Sequence, residues 1–352
     1  MKAKRIVVKI GSSIFFDDKG NFAGEVLDSF ARQISILHNR KYHFLIVSSG
    51  AIALGMSILG LHSRPKELSQ LQAAAAIGQN QLMSLYSNSF KKFGLLCGQV
   101  LLTWDDFTQR KRYLNAKNTL EALLAFKIIP IINENDTVST EEIKFGDNDQ
   151  LSGLVATLIG AELLIILSDV DGLFDKDKKT VIRRVSTITP EIMSLASSTT
   201  KKTSVGGMAT KLKAAKIATD SGIGCVIASG KFPDVLLRLA EDNTAIGTYF
   251  VPKQKGLPQR QRWIGFGARP KGSVFVDDGA KKALFANKSL LSVGVFRCCG
   301  NFNEGDVVSI CDKEGKEFAR GKVAISSKTL ENSLGKRLER EVIHCDNLVI
   351  LQ

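Results

Sequence analysis

The sequence predicts an α/β protein with a mainly parallel β-sheet sandwiched by helices, followed by a small β-rich domain. Two observations predict the sheet: short β-branched apolar runs recur along the first two thirds of the chain, and stretches with helical spacing separate them. A third observation predicts the second domain, because short candidate strands without intervening helices follow a stretch rich in Pro, Gly and Arg. At 352 residues, the chain is long enough for two domains.

The predicted strands of the first domain share a β-branched, apolar composition, and each ends at or just before Gly, Ser, Asn or Asp. They are "RIVVKI", "HFLIVS", "IIPIIN", "LLIILS" and "GCVIAS". The stretches with helical spacing are "EVLDSFARQISILHNR", "ELSQLQAAAAIGQNQLMSLYSNSF", "NAKNTLEALLAF" and "MATKLKAAKIATDSG". Parallel sheets bind ligands at the carboxyl ends of their strands, so the active site is expected along that edge.

The pattern of short candidate strands in the remaining part of the chain predicts a separate domain. We place the first domain at residues 1–255, a linker at residues 256–272 and the second domain at residues 273–352. The candidate strands of the second domain are "SVFVDD", "DVVSICD" and "NLVIL", and "GNFNEGD" and "KEGKEF" have the composition of turns. This pattern favours a small β-rich fold of roughly 80 residues.

Composition and charge narrow the class of protein. The chain has 48 Lys and Arg against 35 Asp and Glu, a net charge of +13, which favours an anionic partner such as nucleic acid, a membrane surface or a phosphorylated small molecule. The longest apolar run is far shorter than the roughly 18 to 20 residues of a membrane span. Six cysteines lie without a CxxC pair or a metal-ligand spacing, so a reducing cytoplasm is expected and no residue is assigned as a metal ligand.

One acidic stretch stands out in this basic chain. Residues 131–153, "IINENDTVSTEEIKFGDNDQLSG", lie between two apolar runs and include Asp136, Asp147 and Asp149. Because the flanking runs are expected to be buried, the acidic stretch is expected to lie between two buried elements rather than on an ordinary surface loop. Asn148 lies within the same stretch.

Two glycine-containing loops follow predicted strands. In "VKIGSS", Lys9 precedes Gly11, and in "VSSGAIALG", Ser48 and Ser49 precede a glycine and a predicted helix. Glycine lets backbone N–H groups approach a phosphate, and a fixed lysine supplies positive charge. Helix capping by the serines is the alternative for each loop, and it explains one such loop more readily than two.

A third loop, "SVGGMATK" at residues 204–211, places Gly206 and Gly207 immediately before a predicted helix with Lys211 in its first turn. Lysine is unfavourable at the positive end of a helix, so its presence there indicates an anion between the two positive groups. If Lys9 and Lys211 converge on a phosphate, Asp149 would hold both ammonium groups in place. Asp136, Asp147 and Asn148 would then serve a substrate, and Asp169 in "LSDVDGLF" would face the nucleotide.

Several motifs together resemble the amino acid kinase family. They are "VVKIGSS", "IVSSGAIALG", "INENDTV", "FGDNDQLS", "LSDVDGLF" and "GGMATK", in the family's order and approximate spacing. "INEND" with "GDND", followed by "RQRWI" and a small C-terminal domain similar to PUA domains, resembles the members that phosphorylate L-glutamate. The resemblance covers essentially the whole chain and implies the amino acid kinase fold with a C-terminal PUA domain of β-barrel-like form.

The resemblance implies ATP-dependent phosphorylation of the side-chain carboxylate of L-glutamate, which gives L-glutamyl 5-phosphate and begins proline biosynthesis. It also implies a Mg²⁺ requirement, feedback inhibition by L-proline and a homo-oligomer, either a tetramer or a dimer. By matching motifs, the implied catalytic residues are Lys9, Lys211 and Asp149, and the glutamate-binding residues are Ser49, Asp136, Asp147 and Asn148. The implied ATP-binding residues are Lys9, Gly11, Ser168, Asp169, Val205, Gly206, Gly207, Met208, Ala209, Thr210 and Lys211.

Two alternatives remain open from the sequence. The first is RNA binding by the PUA-like domain; its 16 basic residues from Gly256 onward are diluted by 11 acidic ones, which counts against it. The second is a different acceptor within the same family, such as aspartate, acetylglutamate or a nucleoside monophosphate. The "GDND" loop and the C-terminal domain oppose this second alternative, although fold alone would not.

Overall fold

A computed structural model describes residues 4–16, 22–138, 148–177, 179–198, 207–253, 257–336 and 338–351. The chain divides into two compact units. The first comprises Met1–Asp106 and Lys111–Gly256, and the second comprises Phe107–Arg110 and Leu257–Gln352. The predicted fold class is confirmed, since the first unit has a mainly parallel sheet with helices and the second has a separate β-sheet.

The strands of the first sheet are β1 (Arg5–Ile10), β2 (His43–Ser48), β3 (Leu96–Leu102), β4 (Ile128–Glu134), β5 (Leu163–Ser168), β6 (Arg184–Val185), β7 (Gly224–Ser229) and β8 (Thr248–Phe250). The helices up to the end of this sheet are α1 (Ser12–Phe15), α2 (Gly24–Asn39), α3 (Ala51–Ile58), α4 (Leu68–Lys92), α5 (Trp104–Thr108), α6 (Arg110–Ala125), α7 (Asn148–Ile159), α8 (Pro190–Ser194), α9 (Met208–Asp220) and α10 (Val235–Glu241).

The order of strands in this sheet is β3-β4-β2-β1-β5-β7-β8-β6. All neighbouring pairs are parallel except β7 with β8. The chain adds β2 on one side of β1 and later adds β5 on the other side, so the direction of strand addition reverses at β1. Ligands bind at such a switch point in open α/β sheets, which places the expected site at the carboxyl ends of β1 and its neighbours.

The five strands predicted from apolar runs are β1, β2, β4, β5 and β7, which form the centre of the sheet. Their burial explains why an uninterrupted apolar pattern identified them. The prediction missed β3, an edge strand in which Leu96 is 67% exposed. This strand is only partly buried, and its sequence is not a continuous apolar run. The prediction also missed β6 and β8, which have only two and three residues.

The core of the first unit lies between the sheet and its helices. Fully buried side chains from α2, β2 and α4 meet there, including Phe30, Phe44 and Tyr86. The amphipathic helix α2 contributes Leu27, Phe30, Ala31, Ile34 and Leu37 from one face, as its 3.6-residue spacing predicts. This core fixes the strands whose ends carry the polar loops.

Helices α3 and α4 approach each other unusually closely. A Cβ atom added at Gly55 would lie 1.8 Å from the backbone oxygen of Ala74, and one at Gly78 would lie 1.8 Å from that of Ala51. Only glycine fits at either contact, because the obstructing atoms belong to the backbone rather than to a flexible side chain. The contact fixes the beginning of α3, which follows the loop at the end of β2.

The second unit has a five-stranded sheet in the order β10-β9-β11-β12-β13. Its strands are β9 (Gly272–Val276), β10 (Val295–Gly300), β11 (Val307–Cys311), β12 (Glu317–Lys322) and β13 (Leu348–Ile350), and its helices are α11 (Gln259–Arg262), α12 (Asp278–Phe285) and α13 (Ser327–Glu331). The three strands predicted from the sequence correspond to β9, β11 and β13. Strands β10 and β12 were missed, the latter because its first residues were assigned to a turn.

Part of the stretch predicted as a linker is folded with the second unit. Residues 257–267 include α11 and a π-helical turn at Trp263–Gly267, in which Trp263 and Ile264 are buried. The indole Nε1–H of Trp263 donates a 2.8 Å hydrogen bond to the backbone oxygen of Phe107, which belongs to the same unit. The exact domain boundaries stay a prediction.

Among the helices of the described ranges, none combines the length and the apolar composition that crossing a bilayer requires.

We expect Gly78→Ala to lower the free energy of unfolding by about 2–3 kcal/mol, because the new methyl group would collide with the backbone of α3. Urea denaturation measures the change. The matched control is Gly24→Ala, since Gly24 lies in the first turn of α2 with no atom within 4 Å of an added Cβ. Equal stabilities of the two variants would contradict the close approach of α3 and α4.

Candidate active site

A cleft of about 340 Å³ lies at the carboxyl ends of the central strands. Its walls come from the segments that follow β1, β2, β4 and β5, together with the beginnings of α3, α7 and α9. The lining residues are Lys9, Gly11, Ser12, Ser13, Phe16, Ser49, Gly50, Ala51, Ile52, Ala53, Arg64, Asn133, Asp136, Asn148, Ser168, Asp169 and Lys211. The loops that the sequence predicted to be functional therefore meet at one edge of the sheet.

The two predicted lysines meet at a single carboxylate. Lys9 Nζ lies 2.7 Å from Asp149 Oδ1, and Lys211 Nζ lies 3.3 Å from Asp149 Oδ2. All three side chains are nearly inaccessible, with exposed fractions of 8%, 1% and 7% for Lys9, Asp149 and Lys211. The sequence predicted that Asp149 would hold both ammonium groups, and the contacts agree with that geometry.

Each member of this cluster is placed by a different element. Lys9 belongs to β1, whose neighbours β2 and β5 hold it on both sides. Asp149 is the second residue of α7, and Lys211 is in the first turn of α9. Because α7 and α9 both begin at the cleft, their positive ends add to the field of the two ammonium groups.

Asp149 stays ionised in this environment. Burial alone would raise its pKa, but the charges of Lys9 and Lys211, with hydrogen bonds from Lys9 and Thr210, more than offset that effect and lower the pKa to about 2. The carboxylate is therefore a permanent anion at neutral pH. It neutralises one of the two positive charges and leaves a net positive cluster at the cleft wall.

The same cleft lining contains three of the residues predicted to bind substrate. They are Ser49, Asp136 and Asn148, and Asp147 lies outside the described residues. Asn148 is 8% exposed, and its side-chain oxygen Oδ1 has no hydrogen-bond partner among the described residues. Burial of an unsatisfied amide oxygen is unfavourable, which favours a ligand donor at this position.

Asp136 differs from Asp149 although both are acidic residues of one cleft. Burial raises the pKa of Asp136 to about 6, and the neighbouring positive charge of Arg64 only partly counters this effect. A substrate cation beside Asp136 would favour its ionised form. The cleft thus contains one carboxylate whose pKa is lowered by two cations and another whose pKa is raised by burial.

The serines of the second loop have separate roles. Ser48 is fully buried, where its Oγ accepts a 2.9 Å hydrogen bond from the hydroxyl of Tyr86 on α4. Ser49 lines the cleft. Gly50 adopts a φ of +108°, a left-handed conformation that favours glycine, and turns the chain into α3. Thus Ser48 supports the loop and Ser49 is available to a ligand.

The predicted nucleotide-binding residues are only partly brought together. Gly11, Ser168 and Asp169 line the cleft, and Ser168 Oγ donates a 3.1 Å hydrogen bond to Asp169 Oδ1. Gly207 precedes α9 as its N-cap, and Met208, Ala209 and Thr210 form its first turn, but only Lys211 from this segment lines the cleft. Val205 and Gly206 lie outside the described residues.

Sequence reasoning missed some lining residues, chiefly Arg64 and Asn133. Asn133 lies within the quoted "INEND" motif and is buried, with its Nδ2 donating a 2.8 Å hydrogen bond to Gln79 Oε1 on α4. That motif was a usable signal. Arg64 lies between α3 and α4 in a segment without a recognisable pattern, and only the fold brings this segment back to the cleft.

The mainly parallel sheet, the switch-point cleft and the buried lysine pair define a kinase of the α/β class. A family model described as the amino acid kinase family matches residues 4–229, and a PUA domain model matches residues 272–345. The chain belongs to the amino acid kinase family.

Curated relatives resemble the chain over nearly its whole length. A glutamate 5-kinase of Caldanaerobacter subterraneus subsp. tengcongensis is 45% identical over 365 residues, with 99% of this chain and 98% of that protein covered. A glutamate 5-kinase of Syntrophotalea carbinolica is 43% identical with the same coverage. The solved carbamate kinase of Giardia lamblia bound to AMP-PNP is 16% identical, has a TM-score of 0.51, and covers 71% of this chain and 99% of its own. That structure supports the fold alone.

We expect Asp136→Asn to stabilise the ligand-free protein at pH 8. The folded pKa of Asp136 lies near 6, above the unfolded value near 3.8. As pH rises through this window, the unfolded chain releases its proton first, so the folded state loses stability and the full cost is present above about pH 6. Asparagine removes this cost, which is on the order of 1–3 kcal/mol.

Urea denaturation of this variant and the parent at pH 4, 6 and 8 tests the prediction. The stability difference should be largest at pH 8 and should shrink toward pH 4. The matched control is Asp171→Asn, at an exposed aspartate of the same unit that does not line the cleft. A pH-independent difference, or a variant less stable than the parent at pH 8, would contradict the raised pKa.

Proposed function

We propose that the protein transfers the γ-phosphoryl group of ATP to the side-chain carboxylate of L-glutamate. The product is L-glutamyl 5-phosphate, and the reaction is that of a glutamate 5-kinase, the first step of proline biosynthesis. The observation that carries the proposal is one cleft that contains a buried lysine pair and a second acid, Asp136, whose pKa burial raises to about 6. The identity of 43–45% to glutamate 5-kinases over nearly the whole chain supports the choice of acceptor.

The acceptor chemistry needs no general base. A glutamate side chain has a pKa of about 4.3, so it is already ionised at neutral pH and is a competent nucleophile. One carboxylate oxygen forms a bond to the γ-phosphorus of ATP as the bond from that phosphorus to the β,γ-bridging oxygen breaks, and ADP leaves with the electron pair. The four histidines, His38, His43, His62 and His344, are absent from the described cleft lining, which is consistent with this requirement.

Charge stabilisation is the role we propose for Lys9 and Lys211. Negative charge on the transferred group redistributes toward the equatorial and leaving oxygens in the transition state, and two buried ammonium groups at the cleft wall stabilise that charge. Asp149 contacts both ammonium groups and holds them toward one point. Gly11, Ser168, Asp169 and the segment from Val205 to Lys211 would contact ATP on the same side.

Recognition of the amino acid is assigned to other residues of the same cleft lining. The substrate ammonium group would pair with Asp136, and its carboxylates would accept hydrogen bonds from Ser49 and Asn148. We add Arg64 to this set, since its guanidinium lies in the same wall as Asp136 and can bind the α-carboxylate of the same zwitterionic head group. Asp147 completes the proposed set from the sequence.

The described residues are compatible with Mg²⁺ that binds together with ATP rather than at a separate site on the protein. Mg²⁺ usually keeps several waters and binds through phosphates with one or two carboxylates. Asp149 already contacts two lysines and a threonine. Among the described residues, one group of three potential metal ligands was found, at His344–Asp346, and it does not line the cleft. When bound to the nucleotide, Mg²⁺ would neutralise charge on the β- and γ-phosphates.

Cytoplasmic location, homo-oligomerisation and inhibition by L-proline belong to the same proposal.

An ATP-consumption assay over several acceptors tests the proposed activity directly. The acceptors are L-glutamate, L-aspartate, acetylglutamate and a nucleoside monophosphate, and hydroxylamine traps any acyl phosphate as a coloured hydroxamate. We expect hydroxamate formation with L-glutamate. Turnover of another acceptor in preference to L-glutamate would overturn the substrate assignment while leaving the kinase class intact.

Lys9→Met and Lys211→Met should each lower kcat at least about 100-fold while changing the KM for L-glutamate only a few-fold. The lost charge acts on the transition state rather than on the bound amino acid. Steady-state kinetics measure the effect, with circular dichroism to verify folding. Lys213→Met is the matched control, because Lys213 is exposed on the same helix and does not line the cleft. Unchanged kcat in a folded variant would remove that lysine from the mechanism.

Arg64→Gln should raise the KM for L-glutamate about tenfold with little change in kcat or in the KM for ATP, since it removes a contact present equally in the ground and transition states. The control is Lys66→Gln, which removes an exposed charge from the same segment outside the cleft lining. If ATP binding weakened instead, Arg64 would belong to the nucleotide.

A further inference from the structure

Helices α7 and α9 pack side by side and both begin at the cleft. Asp149, Gly153 and Thr157 recur at four-residue intervals on α7, so they form one stripe along that helix. Each of the three contacts either a residue of α9 or Ser221, the residue that follows α9. The contacts run in the same order along both segments, which makes the pair parallel.

The middle contact sets the spacing of the pair. A Cβ atom at Gly153 would lie 3.0 Å from the backbone oxygen of Ala214, so the backbones approach to a distance that scarcely admits a methyl group. At the far end, the hydroxyl groups of Thr157 and Ser221 lie 3.2 Å apart in a hydrogen bond. These two contacts hold the helices in a fixed relation, and the third contact is at the cleft.

At the cleft end, Thr210 contacts the catalytic carboxylate directly. Its Oγ1 lies 2.7 Å from Asp149 Oδ2 and 2.8 Å from the backbone oxygen of Gly207. A hydroxyl group has one hydrogen to donate, and an ionised carboxylate is a stronger acceptor than a backbone carbonyl. The hydrogen is therefore directed to Asp149, and the Thr210 hydroxyl is already engaged within the protein.

The lysines are held unequally by the same carboxylate. Lys9 Nζ is 2.7 Å from Oδ1, whereas Lys211 Nζ is 3.3 Å from Oδ2, the oxygen that also accepts from Thr210. The shorter contact at Oδ2 comes from the hydroxyl. If Lys211 shifts toward a phosphoryl group, the Thr210 hydroxyl remains in place as a donor to Oδ2.

We propose that Thr210 is a positioning residue, whose hydroxyl holds the Asp149 carboxylate in place so that Lys211 can turn toward the transferred phosphoryl group. This inference rests on the proposed function, because it assigns Lys211 to phosphoryl charge. It differs from the expectation that Thr210 serves as a contact to ATP. The two roles predict changes in different kinetic constants.

The test compares Thr210→Val, which keeps the shape and removes the hydroxyl, with Thr210→Ser, which keeps the hydroxyl. We expect Thr210→Val to lower kcat about 10- to 100-fold, the loss expected from one hydrogen bond to a charged group. The KM for ATP and the KM for L-glutamate should each stay within about twofold of the parent. Thr210→Ser should recover most of the lost kcat.

Thr157→Val is the control for a purely structural effect, since it removes a hydroxyl from the far end of the same helix pair. We expect it to lower the melting temperature without changing kcat. A double-mutant cycle adds a second readout: in an Asp149→Asn background, Thr210→Val should cost much less than in the parent, because the two side chains act as a unit.

Three results would overturn the inference. They are a raised KM for ATP with kcat preserved in Thr210→Val, no recovery by Thr210→Ser, or full additivity with Asp149→Asn. Failure of the proposed function is distinguishable, because it would appear as a parent protein that forms no hydroxamate with L-glutamate. In that case the kcat and KM values of the same variants are measured with the acceptor that the parent protein does phosphorylate.

Discussion

The contact between Asp149 and two lysine ammonium groups is the constraint on which the rest of the site depends. Three charges lie almost out of contact with water, and each would be strongly unfavourable there alone. They tolerate burial because each cation has a carboxylate oxygen within 3.3 Å, and because Asp149 also accepts a hydrogen bond from Thr210. Strand β1 and helices α7 and α9 therefore have to meet at one point, and the switch in the sheet at β1 provides it.

Two aspartates of one cleft illustrate how environment divides their roles. The pKa of Asp149 falls to about 2 despite burial because cations surround it, while burial raises the pKa of Asp136 to about 6. The first carboxylate organises the protein's own cations and has little attraction left for a substrate. The second is buried with less positive charge around it, so its ionised form is less favourable, and a further cation beside it would favour ionisation.

Helix α4 supports two of the segments that line the cleft. Gly78 permits the close approach to Ala51 at the start of α3, Gln79 accepts a hydrogen bond from Asn133, and Tyr86 donates one to Ser48. These contacts fix the segments after β2 and β4, from which Ser49 and Asp136 reach the cleft. The segments after β2 and β4 are thus supported by α4, whereas Asp149 and Lys211 are placed by the α7–α9 pair.

The sequence by itself determined the central strands, the lysine-containing loops and the acidic stretch, because burial and phosphate chemistry leave local patterns of apolar runs, glycine turns and charge. It did not identify β3, whose exposed edge lacks such a pattern, or separate Ser48 from Ser49, whose roles depend on Tyr86. Only the tertiary structure brought Arg64 to the cleft and directed the Thr210 hydroxyl toward Asp149. Those features depend on which segments meet in space, and contacts between residues more than 60 positions apart, as for Asp149 and Thr210, leave no periodic signal in the chain.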